Sequence, residues 1–111
     1  MSTQTLNIAR EFSRHPAGRF KSDGPFSGEH CRRKYLLPKL ASGERLEVEL
    51  DGTRGYGSSF LEEAFGGLVR EEGFTGDQLR RLLFLRSADP SLIEEIWGYI
   101  DDADARKKQT N

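Results

Sequence analysis

The clearest pattern in the chain is RLEVELD at residues 45–51, where Leu46, Val48 and Leu50 alternate with Glu47, Glu49 and Asp51. A period of two is the mark of a strand with one face turned to the core. So strict an alternation predicts a strand near an edge, or in a sheet covered on one side only. A second alternating stretch, around Leu6, Ile8 and Phe12, predicts a strand over 5–12. LRRLLFLRS predicts a third strand from about Leu82, although Thr75-Gly76-Asp77-Gln78 just before it has the form of a helix-capping box.

Helical periodicity fills the intervals. Phe26-Ser27-Gly28-Glu29 is a start signal, with Ser27 as N-cap, Glu29 in the first turn and Phe26 set to staple onto Cys31. Cys31, Tyr35 and Leu36 share one face of that helix. Arg32, Arg33 and Lys34 form a basic cluster that reads as its solvated face. Pro38 disturbs it, because the proline ring opposes the carbonyl of Lys34. The second helix begins near Ser58 and carries a stripe of Phe60, Leu61, Ala64, Phe65, Leu68 and Val69, with Gly73 placed to end it. The third has Asp89 as N-cap and Pro90 at its first position. Leu92, Ile93, Ile96, Trp97 and Ile100 are its buried stripe, which puts Trp97 in the core. The loop over 15–25 leaves room for a short strand at Arg19–Lys21.

The order β–α–β–α–β–α predicts a small α/β domain: a mainly parallel or mixed sheet, right-handed crossovers, and helices packed on it. The expected boundaries are a flexible start over 1–4, one domain over 5–102 and a frayed polar tail over 103–111.

Composition narrows what this domain does. With 111 residues and 35% hydrophobic content there is room for one thin core. No apolar run approaches the ~18 residues of a membrane span, and the first residues lack a signal layout, so a cytoplasmic protein without membrane association is expected. The single Cys31 excludes an intramolecular disulfide and a Cys-rich zinc site. His15 and His30 have no partners at metal-ligand spacing, and neither a metal nor another cofactor is expected. A net charge of −1 argues against nucleic acid as partner. That total hides a basic first part, with eight Lys/Arg against three acidic residues over 1–43, and an acidic middle, with three against eight over 44–73. A polarised surface follows.

Candidate chemistry concentrates after the 45–51 strand, in DGTRGYGSSF. Loops at the carboxyl ends of strands are where α/β sheets engage ligands and partners. Gly52, Gly55 and Gly57 allow close approach of backbone, and Ser58 and Ser59 open a helix whose N-terminus favours an anion or a phosphoserine. Arg54 and Tyr56 are suited to anchor a protein partner. Ser59 with Glu62 also fits a plain capping box. Glu62 and Glu63 fit dipole partners of the first turn better than acid–base groups. The segment lacks the Lys-Ser/Thr pair of a phosphate-binding nucleotide loop.

GRFKSDGPFSGEHCRRKYLLPKL followed by LDGTRGYGSSFLEEAFGGLVR resembles the STAS-like domain of unknown function DUF4325, over roughly residues 5–102. The most specific piece is GSSFLEEAFGGLVR, with SGE before the first helix as a second anchor. STAS relatives include bacterial anti-sigma-factor antagonists, which carry Asp-Ser-Ser-Gly-Leu at this junction and are phosphorylated on the second serine. Placed here, that motif falls on Gly57-Ser58-Ser59-Phe60-Leu61, so the resemblance makes Ser59 (or Ser58) the candidate phospho-acceptor. Gly57 stands where the relatives have Asp, and Phe60 where they have Gly. The resemblance implies a regulatory module of no catalytic activity and a protein partner such as a histidine-kinase-like ATPase or serine kinase. The partner surface expected is Arg54, Tyr56, Gly57, Ser58, Ser59, Phe60, Glu62 and Glu63. The alternative is a small anion- or nucleotide-binding domain, or an enzyme, using the same loop.

Overall fold

A computed structural model describes residues 3–109. Strand β1 is Thr3–Asn7, β2 is Arg45–Glu49 and β3 is Leu83–Arg86. Helix α1 runs over 28–41, α2 over 58–70, α3 is Gly76–Leu82 and α4 is Pro90–Gln109. The strands form one fully parallel sheet in the order β1-β2-β3, with Leu6 opposite Val48 and Val48 opposite Leu85. With right-handed crossovers, sequential order carries the connecting helices to one side of the sheet. Burial follows that rule. Leu6, Leu46, Val48, Leu50 and Leu83 are buried beneath the helices, while Thr5, Arg45, Phe84 and Arg86 are exposed on the other face.

One-sided cover is therefore what the 45–51 alternation recorded, but the strand is central rather than at an edge. Its glutamates face outward, where Glu47 pairs with Arg86 at 2.9 Å. Arg45 lies over the Phe84 ring, 5.5 Å from its centroid.

Several expectations are corrected. The first strand is shorter and earlier than 5–12. Residues Ile8–Phe12 coil into a single wide turn, capped by the Asn7 side chain and closed by the Ser13 N–H donating to the Ile8 carbonyl at 2.8 Å. Of the expected flexible start over 1–4, Thr3 and Gln4 belong to β1, while Met1 and Ser2 lie outside the described residues. No strand forms at Arg19–Lys21, where Lys21–Asp23 is a tight helical turn held by Asp23. Most of the expected tail over 103–111 is helix, because α4 continues to Gln109 and buries Ala103. Trp97 is only half buried, with the Arg80 guanidinium 4.7 Å above its ring.

Ser27 caps α1 by accepting the His30 N–H. Ahead of Pro38 the helix widens over Arg32–Leu36, where the Leu37 N–H donates to the Arg32 carbonyl five residues back. Gly73 ends the α2 segment with φ +85°.

Candidate interaction site

The loops leaving the three strands are fastened to one another at the carboxyl end of the sheet. The Arg54 N–H donates to the Arg14 carbonyl at 2.9 Å, joining the loop after β2 to the one after β1. The Asp51 carboxylate accepts the Ser87 hydroxyl at 2.7 Å and the Ala88 N–H at 2.9 Å, which ties in the loop after β3. The Tyr56 hydroxyl donates to the Leu50 carbonyl at 2.6 Å, folding the loop back over its own strand. Burial raises the Tyr56 pKa, so this phenol remains a donor. Gly52 adopts φ +100°, and a Cβ there would meet the Ala9 Cβ at 3.1 Å. Only glycine fits both the conformation and the gap.

Gly57 is the N-cap of α2, with extended backbone and no side chain to cap with. Ser58 and Ser59 are the first two helical residues, and both are exposed. The expected Ser59–Glu62 capping box does not form. The Ser59 hydroxyl has no hydrogen-bond partner among the described residues. The first N–H groups of α2 therefore lack a side-chain cap, which leaves partial positive charge beside a free hydroxyl.

Glu62 is engaged by arginines rather than by the serines. It bonds Arg19, from the loop after β1, and Arg70 at 2.5 Å from two turns further along α2. Burial alone would raise its pKa, but the hydrogen bonds from Arg70 and Arg19 outweigh it and hold the carboxyl below its usual range. Glu63 is buried. It accepts from Arg32 at 2.6 Å, Arg70 at 3.2 Å and Arg19 at 3.3 Å. Arg32 also donates to Glu72 at 2.9 Å. Both glutamates of the expected partner surface are thus occupied by arginines, and Arg32 is not part of a solvated face but is 4% exposed. The sequence placed Arg32 on a solvated face and gave Arg19 and Arg70 no role. The signal available was Gly66-Gly67, two glycines inside a helix, which mark close approach by a neighbour.

Phe60 is buried, and with it the site gains an aromatic file. Phe26 meets Phe12 at 5.9 Å between centroids, Phe12 meets Phe60 at 6.0 Å, and Phe60 meets Tyr56 at 5.9 Å. Phe26 turns toward Phe12 edge-on and remains 43% exposed. Of the expected surface, the structure brings together Arg54, Tyr56, Gly57, Ser58 and Ser59 at one rim, with Phe60 beneath them.

Two hollows flank this rim. A groove of about 730 Å³ between α2 and α4 is walled by Arg19, Glu62, Arg70, Tyr99 and Arg106. A crevice of about 340 Å³ at the ends of β2 and β3 is lined by Asp51, Thr53, Tyr56, Asp89 and Glu95. No cluster of three or more metal-ligating side chains occurs among the described residues, and no helix among them is long and apolar enough to cross a membrane.

Residues 27–92 match the profile of a family described as a STAS-like domain of unknown function, DUF4325. The match starts at the Ser27 cap and takes in α1, β2, the serine junction, α2, α3 and β3. No curated protein and no solved structure matches the chain.

Proposed function

The chain belongs to the DUF4325 family of STAS-like domains, and on that footing we propose that it is a non-catalytic regulatory module. It engages a protein partner through the loop 54–60 and is switched by phosphorylation of Ser59. A histidine-kinase-like ATPase or a serine kinase is the partner in this reading. The observation that carries it is the α2 N-terminus: an exposed Ser59 hydroxyl with no partner, on a helix start without a side-chain cap. A phosphate there adds about −2 charge where helical N–H groups favour it, and places a charged group where a partner would pack.

Two further features support binding over catalysis. The carboxylates nearest the serines, Glu62 and Glu63, are held by arginines and none is hydrogen-bonded to the Ser59 hydroxyl as a base. The crevice beside the loop is lined by Asp51, Asp89 and Glu95, with no lysine or arginine among its lining residues, which disfavours a nucleotide or other anion in it.

The test is affinity capture with wild type, Ser59→Ala and Ser59→Asp, followed by mass spectrometry of the recovered Ser59 peptide. A partner held by wild type and Ser59→Ala but released by Ser59→Asp, with phosphate found on Ser59, is the expected result. Identical capture by all three, with no phosphate, overturns the switch.

A further inference from the structure

The aromatic file and the joined loops form one continuous surface at the β1 side of the site. On it Phe26, in contact with Phe12, faces solvent and is 43% exposed. Its acidic and basic groups are disposed differently. Asp23 is turned inward onto the N–H groups of Arg19 and Phe20, and Glu29 onto the N–H of Lys21 and the Arg33 side chain. Arg14 and Arg54, brought side by side by their backbone hydrogen bond, are both exposed and make no side-chain hydrogen bond or ion pair among the described residues. The uncapped start of α2 adds partial positive charge to the same rim. Toward β3 the sign reverses, at Asp51, Asp89 and Glu95. Unpaired arginines together with an exposed aromatic ring are the ordinary makings of a protein-binding hot spot.

We infer that this surface docks an acidic segment of a partner protein, with an aromatic or large aliphatic residue seated on Phe26 and carboxylates facing Arg14 and Arg54. The acidic β3 side sets the limit of the footprint, since a carboxylate-bearing segment is repelled there. The inference rests on the proposed role of loop 54–60 and adds the partner's chemistry. It also supplies the switch with a mechanism: a phosphate on Ser59 competes with the partner's carboxylates for the same arginines.

Selection of a random peptide library on the full chain tests it. Peptides bearing two or more Asp or Glu around an aromatic or large aliphatic residue are the expected winners. By fluorescence anisotropy, the winning peptide loses about tenfold in affinity with Arg14→Ala plus Arg54→Ala, weakens as salt rises, and is unaffected by Arg81→Ala on α3. Phe26→Ser gives an independent loss, and circular dichroism confirms that each variant is folded. Enrichment of basic or uncharged peptides, no enrichment, or displacement by oligothymidine at equal or lower concentration overturns the inference. Loss in the arginine variant with unchanged binding by Ser59→Asp upholds the acidic docking surface and removes the phosphoswitch instead.

Discussion

Gly67 leaves open the space that the Arg32 guanidinium fills: a Cβ on Gly67 would stand 2.4 Å from Nη1 and 3.1 Å from Cδ of Arg32. Through that gap Arg32 reaches from α1 to the Glu63 carboxylate at 2.6 Å and the Glu63 carbonyl at 2.8 Å. A buried cation is thus fully engaged at the interface that positions α2 and its serines.

Gly67→Ala is accordingly destabilising, by about 1–3 kcal/mol, because the guanidinium must shift or lose its bonds. Gly98→Ala has the opposite sign. Nothing lies within 4 Å of a Cβ there, and replacing an exposed helical glycine gains about 0.5–1 kcal/mol. Urea unfolding of the two variants against wild type reads both.

Removing one partner of the buried pair is harsher. Arg32→Met leaves Glu63 without its shortest ion pair, and a loss of about 3–5 kcal/mol is expected. The double variant Arg32→Met with Glu63→Leu recovers much of it, since no uncompensated charge remains. Chemical denaturation of the three variants closes this cycle.

At the N-cap, Gly57→Asp supplies the side chain that α2 lacks. The backbone is already extended and a Cβ meets nothing within 4 Å, so a gain of a few tenths to about 1 kcal/mol is expected. A lower melting temperature than wild type would contradict the uncapped geometry.

Acid weakens the fold partly through Glu62. Its folded pKa lies below the unfolded value of about 4.3. Its contribution is therefore fully present above that value and lost as pH falls through the folded pKa. The carboxylate is 25% exposed and partly screened, so the effect is modest. Between pH 6 and pH 3, Glu62→Gln loses less stability than wild type in matched urea titrations.

Burial pushes the Cys31 thiol up to about 12. The native protein is expected to resist a disulfide-exchange reagent at pH 8 and to react fully once unfolded, as thiolate is the nucleophile. Timed absorbance with and without denaturant measures it.

Most strand and helix signals, and some caps, were legible from near neighbours in the chain, although the Ser59–Glu62 capping box was not borne out. The 45–51 alternation, the Ser27 cap and the stripes of α2 and α4 all follow from local chemistry. The strand extending over 5–12 failed because Asn7 caps a turn that the apolar spacing does not reveal. The tail failed because Asp104, Lys107 and Lys108 disguise a helix anchored on the core by Ala103.

The sequence by itself determined an α/β order, a strand with one polar face over 45–51 and a glycine–serine junction after it, because periodicity and capping act within a few residues. Tertiary structure decided the fate of the charges. Arg32 meets Glu63 across 31 residues and Arg19 meets Glu62 across 43, distances over which no local pattern carries information. Desolvation makes an unpaired buried charge costly, so packing α1 against α2 forced those pairings. Ser59, Arg14 and Arg54 lie outside those pairings and are exposed, which is why the proposed partner surface is built on them.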